Sequence, residues 1–214
     1  MFETTIFICI GYLSGSVLYA CIFARIFKKE ILEQSVDHNP GTANAFIYGG
    51  FWCGILTLIF DVLKGFIPVF LFMRYGTTDE TNPFFTALVI AAPVIGHIFP
   101  LHYWFHGGKG IAVTFGSLAG LYPALDALFI LAFFFIIFSL VLTITPHFYR
   151  TFFSYAVSFM AVFRSIEDPS VVLGFLVITA AVLVRLLTSK EKRSRLEVKL
   201  FGGSHTLLRD RGRT

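Results

Sequence analysis

The residues best suited to chemistry begin with a run of glycines around a single lysine. The sequence HGGKG at 106–110 contains Gly107, Gly108, Lys109 and Gly110. Glycines let the backbone approach a ligand closely and turn N–H groups toward an anion, and a helix expected to start at Ile111 adds partial positive charge. The pattern therefore predicts a phosphate cradle, although it lacks the P-loop spacing G-x-x-x-x-G-K-[ST]. A flexible turn with a snorkelling lysine is the alternative.

A second polar motif, NPGTAN at 39–44, contributes Asn39, Gly41, Thr42 and Asn44. The proline disfavours helix at the preceding residue, so the segment is a predicted turn. Its amides and hydroxyl have the hydrogen-bonding groups to bind a polyol or a phosphate. The alternative is a turn that caps the second membrane-spanning helix, with Asn44 near its start.

Three ionisable residues lie inside apolar segments. Asp61 and Lys64 are spaced i, i+3, on one face of a helix. His97 belongs to the sequence GHIFP and lies within about three turns of Lys109. Ionisable residues at such depth usually face the interior of a helix bundle or a water-filled cavity. The structural alternatives are a buried ion pair and a hydrogen-bonded bundle histidine.

A further pattern, His205 with Asp210, has the H-x4-D spacing in which another acyltransferase group uses a histidine base and an orienting aspartate. It lies in a basic tail, and no Gly-Thr-Arg phosphate motif follows it. We interpret this match as coincidental.

The composition indicates which elements must position these residues. Of the 214 residues, 56% are apolar and 14% are charged, with a mean hydropathy of +0.77, against about 25% charged in soluble domains. This excludes a disordered chain, a disulfide scaffold and a nucleic-acid-binding domain, and it favours an integral membrane protein. Three cysteines without a C-x-x-C pair predict no disulfide, zinc or redox site, and we expect no cofactor.

The hydropathy pattern predicts an all-α fold, a polytopic membrane helix bundle with about seven transmembrane helices. The bundle would occupy 1–188, and a basic cytoplasmic tail would occupy 189–214. The predicted spans are 4–27, 50–73, 84–105, two within 111–145, 152–163 and 171–187.

The distribution of Lys and Arg predicts the orientation. With the tail inside, fourteen of the 17 basic residues lie on the cytoplasmic side and two, Arg74 and Arg164, lie outside. Three polar segments then share the cytoplasmic face: 28–44, 106–110 and 146–154. The absence of an internal repeat in the sequence argues against a transporter built from repeats.

Taken together, these motifs resemble the bacterial integral-membrane acyl-phosphate:glycerol-3-phosphate acyltransferase family. The resemblance covers nearly the whole chain. It rests on Gly15-Ser16, Asn39-Pro40-Gly41, Asn44, Asp61–Gly65 with Pro68, Gly96–Pro100, Phe105, Gly107–Gly110 and Gly116. It implies seven spans in the bacterial inner membrane and a cytoplasmic active site. It also implies transfer of a fatty acyl group from acyl phosphate to glycerol 3-phosphate, without acyl-CoA or a metal, to make lysophosphatidate.

The resemblance also implies roles for single residues. Lys109 and the glycine amides would hold the phosphate and the developing oxyanion. Asn39, Asn44 and Ser154 would orient the acceptor, and His97 joins them as a catalytic candidate. The remaining substrate-binding candidates are Gly41, Thr42, Asp61, Lys64, Ser16 and Arg193.

The chain departs from the family pattern at positions that would bind phosphate. Asp37 stands where the family has a serine, and Ile47 where it has an arginine. In the last motif Arg193, Leu196 and His205 replace a histidine, an asparagine and a glutamate. Losing one charged partner of a phosphate can cost orders of magnitude in rate.

These departures keep a second hypothesis open, a catalytically degenerate relative that binds a membrane lipid or a partner protein. A small-solute transporter is the third hypothesis. For the enzyme, the expected partners are acyl phosphate, glycerol 3-phosphate and membrane lipid, with no nucleic acid. The sequence leaves the oligomeric state open.

Overall fold

The computed structural model describes residues 2–76, 82–189 and 195–200, and it is predominantly helical. Its helices are α1 (Phe2–Ser16), α2 (Tyr19–Ile26), α3 (Ile31–Gln34), α4 (Thr42–Gly49), α5 (Phe51–Tyr75), α6 (Pro83–Ile98), α7 (Ile111–Ala119), α8 (Asp126–Ile136), α9 (His147–Ser165) and α10 (Pro169–Thr188). A 3₁₀ turn at Leu101–Tyr103 follows α6, and a π turn at Ile137–Val141 follows α8.

The predicted helical fold is confirmed in its main part, and two short strands are the exception to it. Strand β1 (Leu142–Thr145) pairs antiparallel with β2 (Glu197–Leu200). The segment Leu-Thr-Ile-Thr is rich in β-branched residues, and Pro146 disfavours helix at the residue before it, so the helical conformation expected to reach 145 ends at Val141. Residues 197–200, which we placed in the tail, thus pair with the chain just before α9.

Four helical segments are long and apolar enough to cross a membrane: Phe2–Ile26, Phe51–Tyr75, Pro83–Tyr103 and Pro169–Thr188. The chain is therefore a multi-pass membrane protein. Of the two spans predicted within 111–145, the first corresponds to α7, whose nine residues reach only about 14 Å of a hydrocarbon core about 30 Å thick. The second corresponds to the shorter apolar helix Asp126–Val141. The count of seven spans stays a prediction.

The first span is interrupted at Val17, between α1 and α2, and a side chain from another helix binds the carbonyl that the interruption leaves without a partner. A helix interruption leaves backbone carbonyls without partners, which is costly in the membrane interior. The ammonium of Lys64 on α5 donates to the Val17 carbonyl at 2.6 Å, and the Ser14 hydroxyl donates to the carbonyl of Lys64 at 3.1 Å. Lys64 thus joins the first two spans.

Glycines set two close helix crossings. A Cβ at Gly96 of α6 would collide with the Tyr12 carbonyl of α1. At the crossing of α5 with α7, a Cβ at Gly116 would collide with the Val62 carbonyl in the same way. Small residues that let backbones approach are typical of helix packing in membranes. The α5–α7 contact matters for function because α7 begins beside Lys109.

The main hydrophobic core lies among α5 to α10. Its fully buried side chains include Val69, Ile90, Leu118, Tyr155 and Phe175. The half of the bundle formed by α2, α3 and α4 has a separate small cluster around Ala45 and Cys53. The candidate site lies between these two packed regions, since its walls come from both.

Candidate functional site

One cavity of about 790 Å³ brings together the polar segments that the sequence assigns to one membrane face. Its walls come from the turn before α4 and α4 itself, the middle of α5, the end of α6, the Lys109 loop with the start of α7, and the start of α9. Residues from all three segments, 28–44, 106–110 and 146–154, line this cavity. Eight of the nominated residues line the cavity: Asn39, Gly41, Thr42, Asn44, Asp61, His97, Lys109 and Gly110.

The ammonium of Lys109 contacts a carboxylate from the opposite wall. Lys109 Nζ lies 3.1 Å from Asp37 Oδ2, and the two side chains are only 10% and 12% exposed. Asp37 is the departure from the family serine, and it supplies an anion where a phosphate cradle would receive one. A phosphate that reaches Lys109 therefore competes with Asp37 for the ammonium.

The side-chain amide of Asn44, in the first turn of α4, holds Asp37 in place. Asn44 Nδ2 donates to Asp37 Oδ1 at 2.8 Å and to the Asn39 carbonyl at 2.9 Å. The proposed cap of the second span is wrong, because Asn44 lies inside the separate helix α4.

The Oδ1 atom of Asn39 is buried and has no hydrogen-bond partner within the described residues, so it can accept from a ligand hydroxyl.

Asp37 is a permanent anion at physiological pH. Burial alone would raise the pKa of this carboxyl, but the hydrogen bond from Asn44 and the nearby ammonium of Lys109 outweigh burial and hold the pKa below its ordinary value of 3.8. The second carboxylate of the cavity, Asp61, also pairs with a lysine. Within the described residues, no three His, Cys, Asp or Glu side chains are grouped to hold a metal ion.

The predicted Asp61–Lys64 pair exists, with 2.7 Å between Lys64 Nζ and Asp61 Oδ1. Asp61 Oδ2 accepts a hydrogen bond from Thr42 Oγ1 at 3.2 Å. Lys64 has three N–H donors and three acceptors around it, since its ammonium also reaches the Val17 carbonyl and, at 2.8 Å, Nδ1 of His97. Asp61 lines the cavity, and Lys64, which does not line it, therefore holds Asp61 and His97 in place.

This arrangement fixes the tautomer of His97. Because Nδ1 accepts a hydrogen bond from the ammonium, the ring proton of a neutral imidazole lies on Nε2. Nε2 lies against the backbone of Gly108, where a Cβ would collide with it. In this state Nε2 carries the proton, so it has no lone pair with which His97 could act as a base.

The prediction that the N–H groups of Gly107 and Gly108 point at a phosphate is wrong. The N–H of Gly107 donates to the Ile98 carbonyl at 3.1 Å, and the N–H of Gly108 donates to the His97 carbonyl at 3.0 Å. These amides satisfy the last carbonyls of α6, so they are not directed at a ligand as predicted, and neither glycine lines the cavity. The two glycines instead let the loop pack against His97. Gly110 adopts φ +81° just before α7, a conformation that favours glycine.

Two further contacts pin the loop that carries Lys109. Arg185 of α10 donates to the Gly107 carbonyl at 2.6 Å. The Thr114 hydroxyl donates to the Gly110 carbonyl at 2.8 Å and accepts from the Tyr155 hydroxyl at 2.9 Å. The loop is thus fixed at both ends by α7, α9 and α10, which limits the movement of the Lys109 backbone.

Other nominated residues lie away from the cavity. Ser16 is buried in α1 and donates to the Tyr12 carbonyl one turn earlier, and Ser154 is fully buried in α9. Neither serine lines the cavity. Arg193 lies outside the described residues, as does His205.

A sequence profile described as glycerol-3-phosphate acyltransferase matches residues 5–196. The chain belongs to the glycerol-3-phosphate acyltransferase family. Curated members of this family from Pasteurella multocida and Legionella pneumophila are 38% and 40% identical over 113 and 111 residues, which is 53% and 52% of this chain. A member from Pseudoalteromonas translucida is 39% identical over 135 residues, or 63% of this chain. The aligned parts span 54%, 39% and 64% of those relatives.

The fold of this glycerol-3-phosphate acyltransferase family member is also found in solved structures. The crystal structure of PlsY, an integral membrane glycerol 3-phosphate acyltransferase, in its glycerol 3-phosphate form, aligns with a TM-score of 0.71 at 24% identity, over 85% of this chain and 87% of that one. The lysophosphatidic acid form of the same protein aligns with a TM-score of 0.66 at 23% identity over the same shares of the two chains.

In this family member, two cavity residues were missed by the sequence analysis. His147 and Arg150, at the start of α9, line the same cavity as Ile47. Their i, i+3 spacing directly after Pro146, in a segment assigned to the cytoplasmic face, is the signal from which they could have been identified. Only Ser154 was nominated from that segment, because the resemblance drew attention to a serine.

Proposed function

We propose that this protein transfers a fatty acyl group from an acyl phosphate to a hydroxyl of glycerol 3-phosphate and so makes lysophosphatidate. The observation that carries the proposal is the single cavity in which polar and apolar walls meet. Lys109, Asn39 and His97 lie on its polar side, and Phe46, Leu58 and Phe115 are among its apolar lining residues. Both a phosphate headgroup and the start of an acyl chain fit such a surface.

The reaction needs positioning and charge stabilisation more than a cofactor. The acceptor hydroxyl oxygen forms a bond to the acyl carbon, the bond from that carbon to the phosphate oxygen breaks, and inorganic phosphate leaves with the hydroxyl proton. An acyl phosphate is already activated, so holding it beside the hydroxyl supplies much of the acceleration. Lys109 neutralises the phosphate and the negative charge that develops during the attack. The unpaired Oδ1 of Asn39 accepts from the acceptor's hydroxyl groups.

The remaining site residues act through these groups. Asp61 and Lys64 fix His97, and Thr42 and Asn44 hold the turn around Asp61 and Asp37. We further propose that the cavity faces the cytoplasm of a bacterial cell, with about seven spans and a cytoplasmic C-terminus. The concentration of basic residues on that face supports this orientation.

Rescue of a bacterium that lacks its own glycerol-3-phosphate acyltransferase tests the proposal. The wild-type gene restores growth and lysophosphatidate synthesis, whereas the Lys109→Met variant does not. The matched control is Lys29→Met, which removes an exposed lysine assigned to the same membrane face. Failure of the expressed, membrane-inserted wild type to rescue growth would favour the non-catalytic lipid binder instead.

A further inference from the structure

The charges around the cavity leave one cation without a carboxylate partner. Lys109 lies beside Asp37, and Lys64 lies beside Asp61. Arg150 is the other cation of the cavity wall, and within residues 2–76, 82–189 and 195–200 no carboxylate lies within 4.0 Å of its guanidinium. An anion stabilises an arginine in a partly apolar cavity, so an anionic ligand is expected to bind beside Arg150.

The geometry of the first turn of α9 prepares Arg150 for that ligand. Its Nη2 lies 2.7 Å from Nδ1 of His147, and both residues line the cavity. A guanidinium can only donate, so Nδ1 of His147 accepts, and the proton of its neutral ring lies on Nε2. This contact uses one of the five N–H groups of the guanidinium and leaves the others for a phosphate. The imidazole adds one N–H donor.

The proposed reaction brings two phosphate groups into one cavity. Lys109, on the glycine loop, is assigned to the phosphate of the acyl donor. Ile47, an apolar side chain that is 70% exposed, lines the cavity where the family pattern has an arginine, and it cannot bind the second phosphate. Arg150 is the remaining cation of the described cavity wall.

We propose that Arg150, oriented by His147, binds the phosphate of glycerol 3-phosphate in place of the arginine missing at 47. The inference rests on the proposed function. It assigns the binding of the acceptor to a residue of α9, outside the motifs that carry the family resemblance. Arg150 thereby determines specificity for a phosphorylated acceptor, and His147 is a positioning residue.

Steady-state kinetics of the full-length protein in lipid nanodiscs test the assignment. Arg150→Gln raises the KM for glycerol 3-phosphate about tenfold or more, as expected for losing a charge-assisted hydrogen bond, and leaves the KM for acyl phosphate nearly unchanged. Arg150→Lys recovers part of the affinity. His147→Ala raises the same KM less than Arg150→Gln does. The control is Arg164→Gln, which replaces an exposed arginine at the other end of α9 and changes neither KM.

A binding measurement without the acyl donor separates this inference from the proposed function. Millimolar glycerol 3-phosphate raises the Tm of the wild type, and Arg150→Gln abolishes that shift while keeping the Tm of the unliganded protein. If the wild type binds glycerol 3-phosphate through Arg150 but makes no lysophosphatidate, the proposed function fails and this inference stands. If Arg150→Gln keeps the wild-type KM and Tm shift, or raises only the KM for acyl phosphate, the inference is overturned. A wild type with neither turnover nor a Tm shift overturns both.

Should Arg150→Gln unfold, Arg150→Lys provides the same comparison. A lysine keeps the positive charge but loses the planar fork, so the Tm shift and the affinity fall between those of the wild type and those of an uncharged site. An affinity equal to that of the wild type in a stable Lys variant, together with an unchanged KM in His147→Ala, contradicts the assignment.

Discussion

At the scale of single residues, the contacts that each cation of the cavity already makes determine how easily it can bind a phosphate. Lys109 lies 3.1 Å from Asp37, whereas Arg150 is hydrogen-bonded to a neutral ring. The two cations therefore differ in how readily they accept a phosphate. In the proposed reaction, the phosphate of the acyl donor must displace the carboxylate of Asp37 from Lys109, so we expect Asp37 to lower the affinity for the donor.

Replacing Asp37 by asparagine tests that expectation. Asp37→Asn keeps the side-chain shape and the hydrogen bond from Asn44 but removes the competing charge, so the KM for acyl phosphate falls several-fold. The measurement is initial rate against acyl phosphate concentration, with Asp126→Asn, an exposed aspartate at the start of α8, as the control. A higher KM in Asp37→Asn would mean that the carboxylate orients Lys109 and does not compete with the substrate.

The same residue predicts a pH dependence of stability. The pKa of Asp37 is held below 3.8, so the carboxylate is fully charged from about pH 5 to 8, and its pairing with Lys109 is lost as the pH falls through the lowered pKa. The difference in Tm between wild type and Asp37→Asn is therefore constant from about pH 5 to 8 and shrinks below about pH 4. Thermal unfolding across this range checks it, and a change in that difference between pH 5 and 7 would contradict the assignment.

The sequence predicted the residue types of the site better than their contacts. The spacing of Asp61 and Lys64 indicated their pair, because i, i+3 residues share a helix face whatever the rest of the fold. The contact of Asp37 with Lys109 joins residues 72 positions apart, and no local rule predicts it. The amides of Gly107 and Gly108 were assigned to a ligand because the sequence does not show that the end of α6 lies close enough to accept from them.

At the scale of elements, the site depends on how closely α7 approaches α5. A Cβ at Gly116 would meet the backbone carbonyl of Val62, which cannot rotate away. Helix α7 starts at the Lys109 loop, so a displacement of α7 moves the ammonium. Glycine at this crossing is required for close approach, and it costs helix propensity relative to alanine.

Gly116→Ala therefore destabilises the protein by about 1–3 kcal/mol despite its better helix propensity. The matched control is Gly174→Ala in α10, where the new Cβ would lie 3.2 Å from Ile90 side-chain atoms and 3.3 Å from the Ala87 carbonyl oxygen, so its neighbours need to move by only a few tenths of an ångström. Unfolding in detergent, followed by the loss of helical circular dichroism, measures both. Equal stability of the two variants would contradict the tight α5–α7 contact.

The sequence predicted the ends of elements that hydropathy determines. It missed the ends that depend on the conformational preference of single residues. The spans that became α5, α6 and α10 follow from long apolar runs bounded by polar residues. The end of the helix at Val141 follows from β-branched residues before Pro146 and from pairing with β2, which is distant in the sequence. Hydropathy alone treats Leu142–Thr145 as more of the same span.

At the scale of the whole molecule, polar segments that are distant in the sequence line one cavity together with apolar side chains of the helices. In the proposed reaction, the polar side chains bind the headgroup and the apolar walls lie beside the acyl chain. The position of these polar segments also fixes the expected orientation, because the glycerol 3-phosphate pool is cytoplasmic in the proposed reaction and basic residues concentrate on the same face.

Thiol labelling of intact spheroplasts tests the orientation. In a background with the exposed Cys9 replaced by alanine, a membrane-impermeant maleimide labels the Arg164→Cys variant before lysis, whereas the Ser189→Cys variant is labelled only after lysis. The opposite pattern would place the cavity on the outer face and remove its access to cytoplasmic substrates.

In the proposed function, this cavity catalyses acyl transfer and Lys109 is its essential cation. The most direct measurement is the conversion of radiolabelled glycerol 3-phosphate to lysophosphatidate by purified protein supplied with acyl phosphate, resolved by thin-layer chromatography. The wild type forms labelled lysophosphatidate, and Lys109→Met lowers the rate at least about 100-fold while remaining folded. No product from the folded wild type, or equal rates from both proteins, would contradict the account.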